Sequence, residues 1–362
     1  MVRRAASHEE GRRPTTIRDV AAHAGVSVAT VSRILSGTYP SAPATRSKVM
    51  RAVRELDYVA NANARGLAGA SSRSVAIIVT SVISPHYAHV AQGVQAQAAL
   101  EGKLCIVGTT GGDPERELAT VQLMRQEQAE CVILVGNVVD DAAYRERMGE
   151  YARALALAGS QLVLCGRPTL GPDVPALVVE YDNAAGAYAI TSHLLSAGHR
   201  RVLFLGRRDG HTTQDSRIAG YRDALADHRV PHDPGLEVEG TMERQEGYRM
   251  IRERLGAGPR DFTAVFACND LIAAGARLAL REHGLRVPDD VSMVGFDDLP
   301  PAADIGLTTV HVPHEELGRT AVRLALERRR NTSGSAGQVM LGTHIIVRDS
   351  VRTFRGDHPP AP

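Results

Sequence analysis

Few residues of this 362-residue chain are spaced to make or break a bond. The adjacent carboxylates Asp297-Asp298 come nearest to an acid/base pair, yet neighbours on one loop rarely converge on a single bond. No GxSxG, P-loop or HExxH spacing occurs, and Gly111-Gly112-Asp113-Pro114 reads as a helix start without phosphate-loop glycines. Cys105, Cys131, Cys165 and Cys268 lie in or beside apolar runs with no CxxC spacing, so they read as buried, reduced thiols. No enzyme activity, cofactor or metal is expected. The chemistry left is recognition. Val28, Ala29, Ser32 and Arg33 share one helix face, on which the Arg33 fork can pair with guanine and Val28 or Ala29 can touch thymine methyls. Thr16, Ser27, Thr30 and Ser32 can donate to phosphates, which position a protein without reading sequence.

That face needs a scaffold. Thr16-Ile17-Arg18-Asp19 reads as a capped helix start with its acid at the positive dipole end. Val20, Ala21 and Ala24 give it an apolar face, and Gly25 stops it where a left-handed residue is wanted. Ser27 caps a second helix, Val28 to Leu35, with Val26, Val31 and Ile34 inward. Helix, tight glycine turn and capped helix make a helix-turn-helix pattern. A third helix runs from about Ala44 to Leu56 on Val49, Val53 and Leu56. Charge agrees: residues 1–72 carry eleven Arg/Lys against five Asp/Glu, although the whole chain is only +1. A basic head on a mildly acidic body suits a polyanion-binding module joined to a sensor or an enzyme.

From Ser74 onward, short runs rich in Val, Ile and Leu alternate with helical stretches. Nine such runs stand out, from Val75–Thr80 to His344–Val347, and they imply parallel sheets covered on both faces, enough for two lobes. Ligands in such folds bind beyond the carboxyl ends of strands, where this chain places Thr80-Ser81, Thr109-Thr110, Gly136-Asn137, Asn269-Asp270 and Asp297-Asp298. No apolar run approaches the roughly 20 residues of a membrane span. Arg3-Arg4 is followed by no apolar export segment, so a cytoplasmic protein is expected.

The run Thr16 to Leu35, with Thr45-Arg46 and Leu56-Asp57-Tyr58 behind it, resembles the headpiece of the lactose/galactose-repressor (LacI/GalR) family. The resemblance implies that Val28 and Ala29 discriminate operators and that Arg33 also contacts bases. Asn61 to Leu67 is similar to the family's hinge helix, which implies that it folds on the operator beside a second hinge. Asn61 and Ala64 would then lie against the DNA, and Leu67 would wedge between base pairs in the minor groove. Ala42 departs from the Ser that usually caps the third helix. Gly198-His199-Arg200-Arg201, Cys268-Asn269-Asp270, Gly295-Phe296-Asp297-Asp298 and Val347-Arg348-Asp349-Ser350 extend the likeness over nearly the whole chain.

The resemblance implies an all-α three-helix helix-turn-helix head with a hinge helix, joined to an α/β periplasmic-binding-protein-like core of two doubly wound parallel-sheet lobes. The expected divisions are a disordered basic tail 1–14, head 15–60, hinge and linker 61–72, core 73–350 and a flexible tail 351–362. Within the core the first lobe is about 73–180 and 310–335, the second about 181–309 and 336–350, with crossings near Tyr181, Val310 and Ala336. Carried over by position, Arg217, Asn269 and Asp297 hold effector hydroxyls, and a fork, an amide and a carboxylate suit a polyol. His86 and Tyr87 stand at first-lobe contact positions, and Met242 where some relatives stack an aromatic. Asp298, Asp289 and His199 read as structural. The implied protein is a homodimeric, effector-switched repressor of pseudo-palindromic operator DNA, with a small molecule, a sugar or derivative, as effector. The same fold also serves activators and dual regulators. The body alone would suit a periplasmic sugar-binding protein, which the basic head opposes.

Overall fold

The computed structural model describes residues 15–36, 41–58, 74–330 and 337–355. The chain divides into two compact units, Met1–Ser72 and Arg73–Pro362. In the first, α1 (Ile17–Ala24), α2 (Val28–Ser36) and α3 (Pro43–Glu55) close on a small core of Val20, Ala21, Val31, Ile34, Val49 and Ala52. The α1 start is a reciprocal cap: Thr16 N donates to Asp19 Oδ2 at 2.8 Å, and Asp19 N donates to Thr16 Oγ1 at 3.4 Å. Gly25 ends the helix at φ 65°, a conformation any Cβ penalises. Ala42 precedes α3 without a side-chain cap. Thr15 Oγ1 donates to Leu56 O at 3.1 Å, and His23 Nε2 lies 2.7 Å from Glu55 Oε2, so the carboxyl end of α3 is tied down twice.

The second unit holds two six-stranded sheets. The first lobe is built from β1 (Ser74–Val79), α4 (Pro85–Leu100), β2 (Leu104–Thr109), α5 (Pro114–Gln126), β3 (Cys131–Val135), α6 (Ala142–Leu157), β4 (Gln161–Cys165) and β5 (Ala176–Tyr181). The second contains α7 (Asn183–Ser196), β6 (Val202–Arg207), α8 (Thr212–Asp227), β7 (Glu237–Glu239), α9 (Arg244–Gly256), β8 (Ala264–Ala267), α10 (Asp270–Glu282), β9 (Ser292–Asp297), α11 (Pro300–Asp304) and β10 (Thr308–His311). Then α12 (His314–Arg330) and β11 (Gln338–Leu341) return to the first lobe, and β12 (His344–Ile346) ends in the second. Strand orders are β11-β5-β4-β3-β1-β2 and β12-β10-β9-β8-β6-β7. Among the described strand pairs, β10–β12 alone is antiparallel. Strands β1, β3 and β9 are buried along their whole length, which is why they read as unbroken apolar runs and not as alternation.

Three connections therefore pass between lobes: after Tyr181, after His311, and between Leu341 and His344. The third corrects the crossing expected at Ala336. Gln338 to Leu341 pair in parallel with Val178 to Tyr181, so they belong to the first lobe and the chain crosses at Gly342-Thr343. A four-residue edge strand behind Ser333-Gly334-Ser335 offers too short a pattern to register. The boundary at 310 moves slightly for a similar reason, since Thr308–His311 pairs with β9. Strands β7, β10 and β11 are the three that the nine apolar runs omit. Where α12 crosses α4, a Cβ on Gly93 would collide with the Glu315 carbonyl, and one on Gly318 with that of Val90; the helices touch backbone to backbone. Among the described residues no helix is long and apolar enough to cross a membrane. The thiols of Cys131, Cys165 and Cys268 are buried and that of Cys105 half-buried, all four free; burial raises the Cys165 thiol to about 12.

Candidate functional site

On the head, the inner residues of α2 hold the helix so that its other face is open. Val28 is 41% exposed, and Ala29, Arg33 and Ser27 are exposed beside it. Thr30 and Ser32 are half-buried. Ser27 Oγ accepts from Thr30 N at 3.1 Å and lies 2.8 Å from Thr30 Oγ1, so these two hydroxyls cap the helix as well as facing outward. Thr16 spends its hydroxyl hydrogen on Asp19 Oδ2 at 2.6 Å, which leaves it an acceptor where a phosphate donor was expected. Asn61, Ala64 and Leu67 lie outside the described residues.

In the core, the carboxyl ends of the two sheets face each other. Arg217 rises from α8, and although 1% exposed its guanidinium is almost fully bonded. Nε donates to Asn183 Oδ1 at 2.8 Å, Nη1 to Cys268 O at 2.5 Å, and Nη2 to Asp297 Oδ1 at 2.9 Å and Tyr181 Oη at 3.5 Å. The Phe296 ring covers one face, 3.7 Å from Cζ. Burial works against this charge, but Asp297 and then Tyr181 beside it outweigh burial and hold the proton more firmly than usual. Asp297 ends β9 at φ 111°, followed by Asp298 at φ 54°. Two successive non-glycine residues at positive φ are strained, a cost tolerated where the surrounding structure fixes the side chain.

Next to Asp297, Asp270 is 1% exposed. Burial and then the Asp297 charge push its carboxyl up to about 8, while it accepts from Thr309 Oγ1 at 2.7 Å and Leu299 N at 2.9 Å. From the first lobe, His86 Nδ1 approaches His314 Nδ1 at 3.1 Å with the rings nearly perpendicular. A hydrogen bond between those atoms requires one Nδ1–H and one bare Nδ1, so the two imidazoles are opposite tautomers. Burial, together with the Arg217 charge, holds both below the ordinary imidazole range. His314 Nε2 is buried with no hydrogen-bond partner. Tyr87 stands against His86, ring centroids 5.0 Å apart, and donates to Thr80 Oγ1 at 3.3 Å.

Asn269 has a different occupation from the one its residue type suggests. Its Oδ1 caps α10 by accepting from Ile272 N at 2.8 Å, and its Nδ2 donates to Met242 O at 3.1 Å. The amide thus fixes the Met242 loop, and Met242 is partly buried against the core. Asp298 is held by His311 at 2.9 Å and Arg348 at 2.7 Å. His199 binds Thr263 Oγ1 and Arg352 O and stacks on Phe354, and Asp289 lies 3.2 Å from Arg286.

The far edge of the cleft is closed by the Asn137 side chain together with backbone bonds beside it. Asn137, beyond β3, accepts from Thr212 Oγ1 at 3.1 Å and Thr213 N at 3.0 Å. Its Nδ2 reaches Gln214 Oε1 at 3.1 Å and His211 Nδ1 at 3.3 Å. Thr212 N donates to Val138 O at 3.0 Å, beside an antiparallel bridge between Val139 and His211. The lobes are therefore bonded directly as well as through their three connections. His314, Tyr181, Asn183 and Asn137 were not among the expected contacts. Asn137 stood among the polar strand ends; His314 gave only a histidine at a helix start.

Residues 16–61 match the family model for bacterial regulatory proteins of the lacI family, and residues 191–351 match the periplasmic binding protein-like domain. The transcriptional regulator CelR of Thermobifida fusca is 34% identical over 348 residues, covering 94% of this chain and 99% of that one. The ribose operon repressor of Haemophilus influenzae is 30% identical over 342 residues, covering 94% and 99%. Among solved structures, the CelR–cellobiose complex matches with TM-score 0.68 and 31% identity over 93% of this chain and all of that one. The lac repressor dimer bound to operator and the anti-inducer ONPF matches with TM-score 0.79 and 25% identity over 94% of this chain and all of that one.

Proposed function

The chain belongs to the LacI family of bacterial transcriptional regulators, and on that premise we propose that it is a homodimeric repressor whose grip on a pseudo-palindromic operator is set by a sugar-class effector in the cleft. It is a DNA-binding regulator and not an enzyme. The α2 face reads bases through Val28, Ala29 and Arg33, while Ser27, Thr30 and Ser32 meet phosphates. Asn61, Ala64 and Leu67 complete the operator contact from the hinge. Repression of genes, like operator binding itself, places the protein in the cytoplasm.

The observation that supports the effector reading is the meeting of both lobes at one polar cluster, with His86 from the first and Arg217 and Asp297 from the second. Each lobe contributes part of the site, so a ligand held there favours one lobe arrangement over another. Coupling of about 1–3 kcal/mol between such sites changes DNA affinity roughly 5–150-fold. His86, Tyr87 and Met242 are the direct contacts in this reading. Arg217, Asn269 and Asp297 act partly by direct contact and partly by fixing the walls. The test is operator binding of the full-length protein, followed by fluorescence anisotropy, with sugars titrated in. His86→Ala should keep wild-type operator affinity and lose the sugar response. A normal response in that variant overturns the assignment.

A further inference from the structure

What a cleft can hold depends on which of its charges are already spent. One buried arginine stands at the strand ends of each lobe, Arg167 and Arg217, and each is locked to a carboxylate; Arg207, which ends β6, is likewise bonded to Asp209 and Glu239. In the first lobe Arg167, 5% exposed, donates to Glu117 Oε2 at 2.8 Å and Val135 O at 3.5 Å. In the second, Arg217 divides its donors among Asp297, Asn183, Tyr181 and the Cys268 carbonyl. Arg348, just after β12, is bonded to Asp298 at 2.7 Å. The two imidazoles face each other at 3.1 Å, too close for both to carry the extra proton. Asp270 adds a further buried carboxyl group.

We propose that the effector is an uncharged polyhydroxy compound, a free sugar or glycoside, and that the cleft rejects sugar phosphates and sugar acids. The inference rests on the cleft being the effector site. An anionic group entering a water-poor cleft needs a cation not already committed. Drawing Arg217 toward a phosphate would strand Asp297, and drawing Arg167 away would strand Glu117, each in a buried position. Hydroxyl groups face no such barrier, because each both donates and accepts. Matching groups stand there: beyond their mutual bond the opposed His86–His314 tautomers leave one N–H and one bare nitrogen, and the Thr80 hydroxyl, which accepts from Tyr87, keeps its own hydrogen to donate. Burial and Arg217 also keep both histidines neutral, so neither supplies a positive charge.

The experiment uses the full-length protein without DNA and matched probes: glucose with glucose 6-phosphate, ribose with ribose 5-phosphate, trehalose with trehalose 6-phosphate, and cellobiose with cellobionic acid. Melting temperature and calorimetric affinity are read for each. At least one uncharged sugar should raise the melting temperature by a few degrees, with its charged counterpart bound at least tenfold more weakly. The affinity of that sugar should change less than twofold between low and high potassium chloride. A charged probe that binds as tightly as its parent, a steep salt dependence, or silence from every uncharged sugar overturns the inference. His86→Ala separates the two readings. A charged probe whose binding disappears in that variant sinks the charge argument and spares the cleft. A probe whose binding survives there sinks the cleft assignment itself.

Discussion

The head and the cleft solve opposite problems with the same kinds of side chain. On α2 the residues proposed to read DNA lie outside the packing: Val28 is 41% exposed while Val31, three positions on, is fully buried. In the cleft the residues proposed to hold the effector are themselves the packing: Arg217 is 1% and Asp297 5% exposed, and they hold each other. DNA brings its own rigid, highly charged surface, so its reader needs only a firm scaffold and a free face. A small flexible ligand brings little, so its receptor must be built in advance, with polar groups already oriented by their neighbours. The difference implies that stability and recognition are separable in the head and fused in the cleft.

Asp297→Ala should break the rule of separability most visibly. It leaves Arg217 buried without its carboxylate, a loss of about 3–5 kcal/mol in urea unfolding of the core, together with loss of any sugar response. A loss under about 1 kcal/mol would show that the guanidinium finds other partners easily. Arg33→Ala is its counterpart in the head. Discrimination between the best operator and one with an altered guanine should fall by about 2 kcal/mol, measured by competition binding, with head melting changed by less than about 0.5 kcal/mol. Equal damage to melting would place Arg33 in the fold.

Acidification sharpens the same contrast. His314 is held well below the ordinary imidazole range by burial, then by His86 and Arg217. The unfolded chain therefore binds a proton that the native core refuses, and core stability falls as pH drops below the unfolded histidine value near 6.5. By pH 5 the loss reaches at most about 2 kcal/mol for this one residue. His314→Phe should reduce the fall measured by unfolding at pH 7 and pH 5, and an unchanged fall would assign the proton uptake elsewhere. The smallest effect is Thr16→Ala, which removes the α1 cap. It should cost about 1 kcal/mol of head stability, read by thermal melting of the head signal, and leave sugar binding intact.

Head and cleft also differ in how openly the chain declares them. The α1 cap, the left-handed Gly25, the inward Val20, Val31 and Ile34 and the outward Val28 and Arg33 all follow from spacings under about twenty residues. Long buried strands such as β1 and β3 are equally plain as apolar runs. Three strands of three or four residues, β7, β10 and β11, carry too little pattern, and missing β11 displaced the last lobe crossing. In the cleft, position and residue type pointed to Arg217 and Asp297 but not to their mutual commitment, nor to the capping duty of Asn269. His86 and His314 are separated by 228 positions. No local rule joins them, because their meeting depends on how α4 and α12 cross at Gly93 and Gly318.

The bonds from Asn137 to the second lobe have a consequence in time as well as in energy. These bonds hold the lobes together directly, so they must break before a molecule can enter or leave at that edge. The frequency of opening then limits how fast the regulator can register a change in supply, whatever the final affinity. The Asn137 amide shares that clasp with the backbone bond between Thr212 and Val138, so altering the amide quickens the response while the backbone bond still restrains it.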